Sequence, residues 1–235
     1  MKTSALYKKL NLTEKSFEGI KKSVAEAEAK TTGEIAVAIT SESAHYAFWE
    51  LLAACGFAAI VEIILILFSS QIQAIYHEIY WDYEPSWVMP MFYVVSAFAS
   101  ILVAYYLANI PALDRLVIPA SVRRSCVTHR AFRYFTESGV YETAEHSGIL
   151  IFVSFMERQV RIVADSGISK KISQDMWNLI ADELAENLKK GHGEAAFTTA
   201  IAKCGDLLAQ NFPAHEENSN ELADGLVVLE DSEWF

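Results

Sequence analysis

The chain is poor in the features that mark several common protein classes. It has three cysteines, Cys55, Cys126 and Cys204, and no CxxC pair. An odd count without pairing spacing implies no disulfide framework and agrees with a reducing compartment. Its six histidines fall into no HxxxH, HExxH or Cys–His pattern, so zinc is not supported. GxSxG, P-loop and GxGxxG motifs are absent. Nineteen Lys and Arg face thirty Asp and Glu, a net charge of −11. That balance argues against a nucleic-acid partner, which needs a basic footprint. Lys and Arg are missing altogether from two long apolar runs, and these organise everything else.

The runs are 47–69, AFWELLAACGFAAIVEIILILFS, and 87–110, WVMPMFYVVSAFASILVAYYLANI. Each exceeds the about 20 residues of helix that cross a hydrocarbon core. Together they predict a transmembrane helical hairpin joined by a loop over 70–86. Residues 1–46 carry seven Lys, and Arg115, Arg123, Arg124, Arg130 and Arg133 follow the second run. The loop has no Lys or Arg and holds Glu78, Asp82 and Glu84. Basic residues near span ends stay cytoplasmic, so both termini are expected in the cytoplasm and the loop outside. Tyr76, Tyr80, Trp81, Tyr83 and Trp87 would then line the outer interface. Glu62 lies mid-span, where a carboxylate is expected to be neutral or paired; a proton relay is the competing reading. The N-terminal MKTSALYKKLNL lacks a continuous apolar core, so the first run is expected to serve as its own insertion signal.

The remaining chain reads as one domain cut in two by the hairpin. Thr13 is placed to cap a helix with Phe17, Ile20, Val24 and Ala27 on one stripe. The stretch 34–40, EIAVAIT, reads as a strand. After the hairpin, 121–138 reads as a helix with Val122, Cys126, Ala131, Phe132 and Phe135 as core positions. The stretch 149–155, ILIFVSF, suits a strand covered on both faces, and 160–164, VRIVA, returns antiparallel after a turn at 156–159. Strands 34–40 and 149–155 are expected to pair in parallel, with helix 121–138 as crossover. Ser173 would cap a helix carrying Met176, Ile180, Leu184 and Leu188. A last helix, 193–212, would bury Phe197, Ala200, Ile201, Cys204, Leu207 and Leu208. The tail 214–235 is acidic except for an apolar patch, Leu222 and Leu226 to Leu229, placed to dock on the domain.

A series of pieces carries a resemblance. Thr32-Gly33-Glu34-Ile35 opens a strand, and Gly148-Ile149-Leu150-Ile151-Phe152-Val153 forms another. Arg161-Ile162-Val163 precedes the turn Asp165-Ser166-Gly167-Ile168. A helix with Trp177 and a Gly205…Phe212-Pro213 ending follow, with Asn220-Glu221-Leu222 in the tail. This order resembles the TPM domain family, also called the TPM-phosphatase family. It is most similar to a bacterial integral-membrane branch with two spans inserted after the first strand, over roughly residues 12–229. The resemblance implies an α/β fold: an α/β/α sandwich around a small mixed sheet, interrupted by the hairpin. It also implies the bacterial inner (plasma) membrane, and acid-phosphatase activity, calcium binding or an accessory role in maintaining a membrane complex. Where better-studied members carry paired acids or Asn before the second strand, this chain has Glu145-His146-Ser147. Where they have a Gly-rich turn, it has Ala164-Asp165-Ser166-Gly167.

Candidate chemistry follows from the strand ends, the usual crevice of an α/β sheet. Glu34, Glu145 and Asp165 are the carboxylates there, with Asp165 and Glu34 as catalytic candidates and all three as oxygen ligands for Ca2+ or Mg2+. Such a metal would polarise a phosphoryl oxygen and activate water. The strand polarities are not expected to bring all three to one edge, so a single cluster is a guess. The bland alternative makes Glu34 and Glu145 solvated charges and Asp165 a turn cap. His129, Arg130 and Arg133 on the crossover helix form a candidate phosphate or headgroup site, against ordinary positive-inside charge. Two functions compete. One is an accessory or interaction module for a membrane complex, with a membrane-protein partner or a second copy; the other is a weak metal-assisted phosphatase.

Overall fold

The structure, a computed structural model, describes residues 3–79, 85–108, 115–143, 146–214 and 225–229. In chain order its elements are α1 (Thr3–Leu10), α2 (Glu14–Glu28), β1 (Glu34–Thr40), α3 (Ala47–Leu67), α4 (Ser69–Ile79), α5 (Val88–Ala108) and α6 (Ala120–Glu137). A 3-10 turn (Val140–Glu142) leads to β2 (Gly148–Ser154), β3 (Gln159–Ala164), α7 (Ser166–Ser169), α8 (Gln174–Lys189), α9 (Gly193–Asn211) and β4 (Leu226–Leu229). The chain divides into two compact units: Met1–Ala44 with Ser121–Phe235, and His45–Ala120.

The first unit is a sheet between two helical layers. Its strand order is β3-β2-β1-β4. β1 pairs β2 in parallel from Glu34↔Gly148 to Thr40↔Ser154, and β2 pairs β3 antiparallel. The parallel pair needs a crossover, and α6 is part of it. β2 is buried along its whole length because strands flank it and helices cover both faces. Alternation divides its side chains: Ile149, Ile151 and Val153 join the core shared with α1, α2, α8 and α9, whereas Leu150 and Phe152 join Val127, Ala131 and Phe135 of α6. α2 starts at a capping box in which Thr13 and Ser16 satisfy each other's backbone amides. β4, from the tail, adds a parallel strand on the free side of β1, Val37↔Leu226 to Thr40↔Leu229. The described part of the apolar tail patch therefore docks as a strand; Leu222 lies outside the described residues.

Three expectations are corrected. On α6 the inward stripe is Val127, Arg130, Ala131 and Phe135. Val122 and Cys126 are half-buried, and Phe132 is 55% exposed. Anchoring on 127/131/135 turns Phe132 about 100° away from the sheet. On α8, Trp177 rather than Met176 takes the core position, with Ile180, Ala181 and Leu184; the indole removes more apolar area from water. The connector read as a loop is helical over Ser69–Ile79, while Tyr80, Trp81, Asp82, Tyr83 and Glu84 lie outside the described residues.

The second unit contains α3 and α5, both long and apolar enough to cross a membrane. They pack on each other through small residues: Ala54 and Ala58 are its buried positions on α3, and such residues let backbones approach closely. Ser96 Oγ lies 2.6 Å from Glu62 Oε1, so this carboxylate of α3 is hydrogen-bonded across the pair. The outer faces present Phe57, Ile60, Ile63, Val95, Phe98 and Leu102, each at least half exposed.

Candidate functional site

The β2–β3 register creates the first candidate site. Because β3 runs antiparallel, its end falls beside the starts of β1 and β2. Glu34 stands opposite Gly148 on one side, and the Asp165 amide donates to Gly148 O at 2.9 Å on the other. Strand polarity therefore does bring Glu34 and Asp165 to one edge. Gly148 is forced by crowding: an added Cβ would lie 2.1 Å from Val140 O. Glu34 is buried, its amide donating to Ser147 O at 3.2 Å. Two strand spacings separate the backbones of Glu34 and Asp165, about 10 Å.

Asp165 caps the short α7. Its Oδ1 accepts from the Ser166 amide at 2.5 Å, and its Oδ2 lies 3.3 Å from His146 Nδ1. Its side chain is 9% exposed and that of His146 is 63% exposed. His146 holds a left-handed backbone, φ 50°, unusual for a residue with a Cβ. A carboxylate beside Nδ1 favours the proton there and leaves Nε2 as the acid–base atom. No spacing motif marks this pair, although a hairpin over 149–164 implies that the residues flanking it meet.

Among the described residues, Glu34 and Asp165 alone make no ligand set for the implied Ca2+ or Mg2+. Glu34 is buried on one side of Gly148, and Asp165 is engaged by Ser166 and His146 on the other. Among the described residues no three His, Cys, Asp or Glu gather as ligands. Glu145 lies outside the described residues.

The α6 trio is separated. His129 and Arg133 are exposed, Arg133 Nε pairing with Glu137 Oε1 at 2.5 Å. Arg130 is 3% exposed and belongs to the buried stripe. Burial pushes the nearby Tyr134 hydroxyl up, and the Arg130 charge opposes that shift.

At the opposite edge of the sheet lies a polar cluster that the sequence did not reveal. Glu157, read as an ordinary turn residue, is 2% exposed. Its Oε1 accepts from the Ser43 amide at 2.8 Å, and its Oε2 accepts from Ser154 Oγ at 2.5 Å. Ser43 Oγ and Ser154 Oγ are 2.6 Å apart. These contacts fix the segment by which the chain leaves β1.

Comparison with known proteins bears on the domain and the fold. Residues 115–207 match the TPM domain family, so this part of the chain is a TPM domain. No curated protein matches the chain. The NMR structure of BA42 protein from the psychrophilic bacterium Bizionia argentinensis sp. nov. is similar, with a TM-score of 0.53. Identity to it is 17%, over 92% of this chain and 94% of that one. That likeness supports the α/β fold.

Proposed function

We propose that this TPM-domain chain is an integral membrane protein of the bacterial inner (plasma) membrane, acting as an accessory or interaction module for a membrane complex. The observation that carries the reading is the pair of long helices whose apolar outer faces are exposed among the described residues and carry no Lys or Arg. Both termini face the cytoplasm in this reading, supported by the flanking Lys and Arg and by the acidic connector. The occupied sheet edge supports a docking role over a catalytic one: Glu34 is buried and Asp165 caps a helix. Co-purification from native membranes tests it. A partner membrane protein, or a second copy, should be retained in mild detergent; a strictly monomeric, partner-free protein would count against it.

A second reading, phosphatase activity, draws on the His146–Asp165 pair. Turnover of an aryl phosphate, with Ca2+ or Mg2+ added, should fall at least tenfold in His146→Gln if His146 supplies acid–base catalysis. Equal turnover in wild type and variant would remove this reading.

A further inference from the structure

We propose that the outer face of α6 is a contact surface for anionic phospholipid headgroups, with Phe132 entering the interface and Arg124 and Arg133 flanking it. The inference rests on the membrane reading above and adds a second, peripheral contact to the integral one. Phe132 stands 55% exposed on a helix whose inner stripe is already complete with Val127, Ala131 and Phe135. At 3.6 residues per turn, Arg124 lies about 80° to one side of Phe132 and Arg133 about 100° to the other. Both Arg are exposed, as is His129. Between them lie Ser125, Thr128 and Thr136, short hydroxyl side chains that leave the aromatic ring standing proud.

Charge makes the choice of occupant. The chain carries thirty acids, yet α6 has none before Glu137. An acid-free helical face in an acidic protein is complementary to an anionic surface, and an exposed aromatic ring sits well at a headgroup boundary. Arg133 pairs with Glu137, but both side chains are nearly half exposed. An exposed pair of this kind holds its partners weakly, so the guanidinium is available to a phosphate.

The test uses the full chain in vesicles. Phe132→Cys, made with Cys55→Ser and Cys126→Ser, takes a polarity-sensitive fluorophore at position 132. Cys204 is buried and its thiol pushed up, so it stays unlabelled. In vesicles of phosphatidylcholine with phosphatidylglycerol the label should emit further to the blue than in phosphatidylcholine alone. High salt should reverse the difference. Arg124→Gln and Arg133→Gln should each reduce the preference for anionic vesicles roughly fivefold. Flotation in neutral vesicles, read on the same samples, reports integral insertion. Protein that floats but shows no lipid-dependent shift overturns the headgroup surface and leaves the anchoring intact. Protein that fails to float overturns both.

Discussion

Replacing Glu157 by Ala removes both acceptors of the cluster at the exit of β1. The Ser43 amide and the Ser154 hydroxyl lose their carboxylate partner in a place where water does not follow: Ser43 is 1% and Ser154 0% exposed. A buried donor left without a partner costs about 1–3 kcal/mol, so two cost about 2–6 kcal/mol. Ser154 and Ser43 hydroxyls lie within 2.6 Å of each other, which lets Ser154 redirect its proton and places the expected loss near the lower half, about 3 kcal/mol. For a domain of this size that lowers the melting temperature by roughly 6–12 °C. Glu157→Gln keeps one acceptor and should lose about half as much. Thermal unfolding of the detergent-solubilised chain measures the loss. Amide exchange at Ser43, which should speed up in Glu157→Ala before global unfolding, locates it. A melting temperature unchanged within error, with Ser43 exchange as in the wild type, would refute the bonded cluster.

Other outcomes follow from single contacts. Gly148→Ala places a methyl against Val140 O; it should destabilise by about 3 kcal/mol or more, as overpacking does when backbone is the obstacle, and thermal unfolding would register it. Because burial pushes the Cys204 thiol up, a thiol reagent at pH 8 should leave Cys204 unmodified until denaturant is added, as peptide mass analysis would show. Glu62→Gln keeps an acceptor for Ser96 and should unfold from bicelles like the wild type, whereas Glu62→Leu should lose about 0.6 kcal/mol, the usual worth of such a bond in lipid; equal loss in both would point to a role for the carboxylate's charge.

Much of the architecture was legible where one physical signal dominated. Uninterrupted apolar runs gave α3 and α5. The β-branched stretches 34–40, 149–155 and 160–164 gave the three central strands, and their order fixed a parallel pair plus a hairpin. Helix faces were less legible, because a slip of one position rotates a side chain by about 100°. Phe132 and Met176 have the apolar character of inward positions, but packing selects Val127 and Trp177. The carboxylates separated according to neighbours that composition does not show. Glu34 and Asp165 share an edge because β3 is antiparallel, yet Gly148 keeps them apart. Glu157 sits in a turn of ordinary sequence, and only the return of residues 41–43 over β2 buries it.

In the proposed reading the hairpin divides one folded unit and anchors it in a bilayer. Its most direct test places a protease-sensitive tag at each terminus and a reporter cysteine in the 70–86 connector. In intact spheroplasts the account predicts that both tags survive external protease, the connector reacts with an impermeant maleimide, and the protein stays with the membrane through an alkaline carbonate wash. Tags cut from outside, or protein released by the wash, would contradict it.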